Sequence, residues 1–287
     1  MRNKHALSAW VFLTPALVLL AVFTFWPVLW GSYLAFTEYK VITPPHWVGL
    51  KNFEALMEDP VFFISLKNSL LYLLIVPAIQ ICAIVLAVLV NNSLPGIKYF
   101  RAAFYMPVVT SVSVVGLMWG WMYNEQGLIN GFMQWLRIVD EPIGWLNDDR
   151  IAIFSVMFVT LWRGLGWYMV LYLAALQSIP KDIEEAAVLD GANRWQSFWR
   201  ITVPMIAPTI LLCTVMSTLS AMKVLEEVLI LTKGGPISST FTGLYYAYDQ
   251  GIRAFNFPRA LAASLIVSVM CIAVAVLNFK FIRPQHR

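Results

Sequence analysis

Six stretches of this chain, roughly 9–36, 65–91, 102–123, 151–176, 205–230 and 259–281, are long and apolar enough to cross a bilayer, a helix needing about 20 apolar residues to traverse the hydrocarbon. In lipid every backbone N–H and C=O must be satisfied internally, which only helices and closed barrels achieve. The stretches do not alternate polar with apolar residues, so strands are excluded. An all-α integral membrane protein with six transmembrane helices is expected. Composition agrees, with 60% hydrophobic and 13% charged residues among 287. The first stretch follows Arg2 and Lys4. It runs too long for a cleaved signal and lacks a small-x-small cleavage site, so a retained anchor is expected.

Several function classes fall away on residue content. Cys82, Cys213 and Cys271 lie singly within apolar runs, without Cys-x-x-Cys spacing or a nearby histidine, and read as packing residues. His5, His46 and His286 occupy terminal or loop positions, and no span pairs a nucleophile with a base. No Gly-x-x-x-x-Gly-Lys-Ser/Thr phosphate loop occurs. A non-catalytic chain with no metal and no bound cofactor is expected. The formal charge of +4 comes from cations scattered among loops, which suits membrane orientation better than nucleic acid.

Six spans return both termini to one face, together with the connections 92–101 and 177–204. Arg2, Lys4, Lys98, Arg101, Lys181, Arg194, Arg200, Lys280, Arg283 and Arg287 fall on that face, against Asp182, Glu184, Glu185 and Asp190. Cations in short connections mark the cytoplasmic side. A multi-pass protein of the cytoplasmic (inner) membrane with both termini in the cytoplasm is expected. The opposite connections, near 37–64, 124–150 and 231–258, together hold more acids than bases. Within 124–150, Gly127, Gly131, Trp135, Pro142, Gly144 and Trp145 suit either an interfacial cap or aromatic platforms for a sugar ring.

The connection 177–204 is too regular for a passive linker. Pro180 suits a first helical turn, and Asp182, Glu184 and Glu185 then sit near the positive end of that helix. Gly191 stops it. Asn193 can cap a second helix with Gln196 three residues on, and Trp195, Phe198, Trp199 and Thr202 follow at i, i+3, i+4 and i+7 as its expected buried stripe. Pro204 marks its end. The pair reads as a docking knob for a soluble partner or as an amphipathic pair lying on the membrane.

Glu185-Ala186-Ala187, then Asp190-Gly191-Ala192, then Phe198, Ile201, Pro204 and Pro208 resemble the signature loop of importer permeases in the ATP-binding-cassette superfamily. Arg194, Trp195 and Trp199 fit the surrounding pattern. The resemblance implies a coupling loop seated in a cleft of a separate ATPase, with Gly191 at the bend and Glu185 meeting polar or basic groups there. ATP and Mg would be handled on that partner. Closure of the ATPase would move the loop as a rigid body and switch the pathway between inward-facing and outward-facing.

Phe25-Trp26-Pro27, Gly49-Leu50-Lys51-Asn52-Phe53, Lys67-Asn68-Ser69-Leu70 and Gly234-Gly235-Pro236 further resemble the carbohydrate-uptake branch, specifically the first of its two permeases. That implies an oligosaccharide or related sugar, or a solute such as glycerol phosphate. Polar residues in a lipid-surrounded helix face the bundle or a wet cavity. In the fourth span Thr160, Trp162, Arg163, Gly164, Gly166, Trp167 and Tyr168 form either a sugar-binding wall or a packing surface with Arg163 paired or snorkelling. In the fifth, Ser217, Ser220, Lys223, Glu226 and Glu227 recur, with Ser217, Ser220 and Lys223 as further substrate-pathway candidates and with Lys223 and Glu227 placed i, i+4, so that Lys223 serves either a ligand contact or an ion pair that holds the helix. Thr160, Gly164, Trp167 and Ser217 match sugar-facing positions of maltose-type subunits. The asparagines of that type are replaced by Ala221 and Val224, which argues against maltose itself.

The resemblance implies a second homologous permease, two ATP-binding subunits and an external solute-binding protein as partners. It further implies a single permease domain over 1–287, made of an N-terminal anchor helix and outer loop, 1–64, and a five-helix core, 65–281, with the first span lying apart from that core and packing on the partner permease. A proton- or sodium-coupled secondary transporter is the rival reading, with Arg163, Lys223, Glu226 and Glu227 as a relay, but inverted repeats are not evident.

Overall fold

The computed structural model describes residues 2–40, 43–91 and 95–281. Arg283, His286 and Arg287 lie outside them, as do residues 92–94 of the connection 92–101 and the side chains of Arg2, Lys4, His5 and Glu184. Helix α1 (Trp10–Leu34) leads through strand β1 (Thr37–Glu38), paired antiparallel with β2 (His46–Trp47), into α2 (Lys51–Met57) and long α3 (Pro60–Val90). Next come α4 (Ile97–Val109), α5 (Val112–Met122), short α6 (Leu128–Trp135) and long α7 (Ala152–Gln177). Helices α8 (Lys181–Leu189) and α9 (Arg194–Ser197) precede α10 (Ala207–Met222), α11 (Glu226–Leu231), α12 (Gly243–Tyr248) and α13 (Phe257–Phe281).

Helices α1, α3, α7 and α13, and the composite Ala207–Leu231, each have the length and apolarity to cross a membrane. The third stretch, 102–123, is not one straight helix. It is split between α4 and α5, which bend by 100° at Thr110 and Ser111. Pro107 in the last turn of α4 removes a backbone donor and crowds the preceding carbonyls. Thr110 turns extended, and its Oγ1 donates to the Met106 carbonyl at 2.8 Å. Two other prolines act similarly. Widened π turns at Ala21–Phe25 and Phe198–Thr202 lie just ahead of Pro27 and Pro204, where the missing N–H frees a carbonyl of the preceding turn.

The chain divides into two compact units, Met1–Phe62 with Tyr246–Ile266 and Phe63–Tyr245 with Val267–Arg287. In the first, Asp59 is the organising residue. It caps α3 by accepting from the Val61 N–H at 2.9 Å, with Pro60 in the N1 position that tolerates a missing donor. The same carboxylate accepts from the Tyr246 hydroxyl at 2.6 Å and pairs with Arg259 at 3.4 Å. Burial, and then the bond to Asp59, push the Tyr246 phenol above its usual range.

In the second unit α3, α7 and α10 form the centre, and α4 packs on α7. Gly166 permits that last contact, because a Cβ there would stand 2.1 Å from the Phe104 carbonyl oxygen. Asn68 donates to the Ser239 and Phe241 carbonyls at 2.7 and 2.8 Å, and Ser69 accepts from the Gly243 N–H at 2.8 Å. The Lys67-Asn68-Ser69-Leu70 stretch thereby clamps the loop that contains Gly234-Gly235-Pro236.

Candidate translocation cavity and coupling segment

The second unit holds a cavity of about 720 Å³. Thr160, Arg163, Gly164 and Trp167 reach its wall from α7, and Ser217, Ser220 and Lys223 from the fifth span. Helical periodicity explains the first set, since residues three, four and seven apart share a face. The sequence-derived pathway residues are thus brought together, though in different chemical states. Gly164 lies on the cavity wall with its nearest outside neighbour, Ile79, 3.4 Å from a virtual Cβ, whereas Gly166 serves helix packing. Thr160 donates back to the Val156 carbonyl at 3.2 Å.

Arg163 is ion-paired. Its Nη1 lies 2.7 Å from Oε1 of Glu227, whose side chain is only 10% exposed. Lys223 does not make the expected i, i+4 pair with Glu227. The helix ends at Met222, and three residues, Lys223 to Leu225, separate α10 from α11. Among the described residues Lys223 has no ion pair and is exposed at the cavity. Thr242 fixes the break by donating to the Val224 carbonyl at 2.6 Å. Ala221 and Val224, at the positions that carry asparagines in maltose-type subunits, also line the cavity.

Ser217 is buried, and its hydroxyl is fully engaged. It donates to the Thr214 carbonyl at 3.0 Å and accepts from Gln80 Nε2 at 2.8 Å. Gln80 also donates to the Cys213 carbonyl at 3.3 Å and accepts from the Tyr172 hydroxyl. Sequence reasoning missed Gln80 and Tyr172. The signal was present, since Gln80 is a lone amide inside the apolar run Ile75–Val90, where an unpaired polar group in lipid is costly. Cys213 and Cys271 are buried packing residues, whereas Cys82 is exposed.

The segment 177–204 contains the two expected helices. Gly191, at φ +78°, ends the first in a Schellman arrangement, with the Gly191 N–H bonded to the Val188 carbonyl at 3.0 Å and the Ala192 N–H to the Ala187 carbonyl at 2.9 Å. Asn193 and Gln196 form a reciprocal capping box at 2.8 and 3.0 Å. Glu185, Ala186, Asp190 and Arg194 are exposed, Ala187 is buried, and Ala192 is half-buried. The aromatic stripe is not buried within the chain. Trp195 is 69% and Trp199 52% exposed, and their rings meet edge to face at 5.6 Å with Phe198 5.2 Å from Trp199. Val188 and Leu189 are exposed as well. Such an exposed apolar cluster on a polar connection has the composition of an interface.

In the connection 124–150 the tryptophans separate. Trp145 is a packing residue whose Nε1 donates to buried Asn130 at 3.1 Å. Trp135 is 75% exposed and stacks on Phe132.

Residues 11–283 match the family described as binding-protein-dependent transport system inner membrane component. The chain is 33% identical to the lactose transport system permease protein of Rhizobium radiobacter, over 97% of this chain and 94% of that one. It is 32% identical to a probable ABC transporter permease protein of Pyrococcus horikoshii, over 93% and 92% of the two. Among solved structures, a bacterial ABC transporter involved in alginate import matches with a TM-score of 0.84, 24% identity, and coverage of 99% of this chain and 98% of that one.

Proposed function

We infer the function of this chain from its membership: it belongs to the family of binding-protein-dependent transport system inner membrane components. It is the permease of an ATP-binding-cassette importer for sugars, a membrane component that works with a solute-binding protein. We propose an oligosaccharide as its cargo. The observation that carries this reading is the convergence of Thr160, Arg163, Trp167, Ser220 and Lys223 on one cavity within a membrane-spanning unit. Trp167 offers an aromatic face and the others offer donors and acceptors suited to hydroxyls. The similarity to a lactose permease supports the same class. Glycerol phosphate is the alternative cargo, since Lys223 is a cation there without an ion pair among the described residues.

The finer reading has six spans with both termini in the cytoplasm. Arg259, at the head of α13, donates to the Ala55 carbonyl at 2.7 Å and pairs with Asp59 at the head of α3. Those two helix ends can share one face of the membrane only if an even number of crossings separates them. The bent pair α4 and α5 must then cross, which supports six spans. Arg101 donates to the Val90 carbonyl at 2.6 Å, while the Tyr123 hydroxyl donates to the Ser155 carbonyl at 3.0 Å. Those bonds tie the start of the pair to the end of α3 and its end to the start of α7, as a crossing requires.

Segment 177–204 is the coupling loop. Trp195, Trp199, Val188 and Leu189 would be covered by an ATPase subunit that hydrolyses ATP with Mg, while this chain itself stays non-catalytic. A second homologous permease completes the pathway, with the first span, α1, packing on that partner. Uptake of a panel of radiolabelled di- and trisaccharides, with glycerol phosphate as comparator, by the complex in proteoliposomes tests the cargo. Accumulation of glycerol phosphate and of no saccharide would overturn the sugar assignment.

A further inference from the structure

Once its ion pair is formed, the cavity of the second unit still presents two opposite charges. The charged residues on its wall are Arg163, Lys223, Glu226 and Glu227, and Arg163 is taken by Glu227 at 2.7 Å. Lys223 and Glu226 are exposed. Among the described residues neither side chain has a hydrogen bond or an ion pair. Ionisable groups inside a membrane-spanning unit are expensive, and those that do not pair mark the path of a solute.

The break between α10 and α11 explains why the two do not neutralise each other. On a continuous helix residues three apart are neighbours, and opposite charges there pair. Lys223 instead has φ −104° and ψ 21°, and Leu225 has φ −133° and ψ −53°, so neither continues a helix. Lys223 is left at the carbonyl end of α10, where a cation is favoured. Glu226 is the first residue of α11, which Glu227 ties to Arg163. Between the two charges, Thr242 holds the Val224 carbonyl at 2.6 Å.

The chemistry of these groups selects a class of cargo. An ammonium only donates hydrogen bonds and a carboxylate only accepts them. A sugar hydroxyl does both, so neighbouring hydroxyls of one ring can accept from Lys223 and donate to Glu226. A phosphate or carboxylate gains at Lys223 and is repelled at Glu226. The wall as a whole carries two cations and two anions, which leaves no net attraction for an ion.

We propose that Lys223 and Glu226 together select an uncharged saccharide, with Glu226 as the residue that turns anionic cargo away. This rests on the saccharide reading of the same cavity and decides it against glycerol phosphate. The test measures uptake by the assembled complex in proteoliposomes, using radiolabelled neutral trisaccharides, trisaccharides containing a uronic acid, and glycerol phosphate. The wild type should accumulate the neutral trisaccharides alone. Lys223→Gln and Glu226→Gln should unfold at the wild-type temperature, since neither side chain has a partner in the fold. Each should lower the sugar imported per ATP hydrolysed about tenfold or more. Exchanging the charges, Lys223→Glu with Glu226→Lys, should restore part of the uptake that Lys223→Glu alone loses, which a purely structural role would not do. Uptake of the uronic-acid trisaccharides as fast as the neutral ones, or unchanged import in both glutamine variants, would overturn this proposal and leave the saccharide reading standing. Accumulation of glycerol phosphate alone would overturn the saccharide reading itself.

Discussion

Arg163 on α7 and Glu227 on α11, beyond the break that follows α10, meet at 2.7 Å in the cavity wall. The sequence places Glu227 beside Lys223 and leaves the partner of Arg163 open, whereas the structure pairs Glu227 with Arg163. This pair leaves Lys223 as the cavity's exposed cation and ties α11 to α7 at the point where the fifth span loses its helical continuity.

Breaking the pair should be costly. Arg163→Met leaves Glu227 largely buried without a counter-charge, and should lower stability by about 3 kcal/mol. The double variant Arg163→Met with Glu227→Met should recover most of that loss, because no uncompensated charge remains. Thermal unfolding of the detergent-solubilised protein checks both. Strictly additive losses would contradict a direct interaction.

Two nearby glycines should separate sharply. Gly166→Ala forces a methyl against the Phe104 carbonyl, with backbone on both sides of the clash, and should abolish stable expression. Gly164→Ala has room beside Ile79 and should leave folding intact while altering uptake kinetics. Expression level and uptake rate measured for each variant test the distinction.

Gln80→Leu removes an amide that serves Ser217 and Tyr172 together. Leaving the Tyr172 hydroxyl and the Ser217 oxygen without their buried partner should cost about 1–3 kcal/mol. Gln80→Glu, which keeps an acceptor for Tyr172, should cost less on neutralisation at low pH than at high pH. Unfolding temperatures across pH measure this.

How much of this was legible in the sequence depended on whether a local signal existed. The helix pair in 177–204 was readable because Gly191, Asn193 and Gln196 are local determinants whose partners lie within a few residues. The cavity set was readable because hydroxyls, Arg163 and Lys223 stand out in apolar stretches. The break at Lys223 to Leu225 was not, since no proline or glycine marks it. It is held by Thr242 on the Val224 carbonyl and by Arg163 on Glu227, contacts separated by 18 and 64 residues. Pro107 did announce the bend between α4 and α5, but the apolar run around it masked the signal. Exposure of Trp195 and Trp199 was beyond periodicity, which finds a stripe without saying what covers it.

In the segment 177–204, proposed as the coupling loop, Gly191→Pro cannot adopt φ +78° and loses the N–H bonded to Val188. It should uncouple ATP hydrolysis from uptake while sugar capture by the binding protein persists. Trp195→Ala with Trp199→Ala should weaken retention of the ATPase without lowering the stability of this chain, since both rings are exposed. Co-purification and unfolding temperature, measured on the same samples, check this.

The most direct test of the account is sugar uptake into proteoliposomes containing the complex, with and without the ATPase subunit, and with Glu185→Lys in the coupling loop. The account predicts uptake that requires ATP and the ATPase and is largely lost in Glu185→Lys with sugar capture preserved. Uptake by this permease without the ATPase, driven by a proton or sodium gradient, would contradict it.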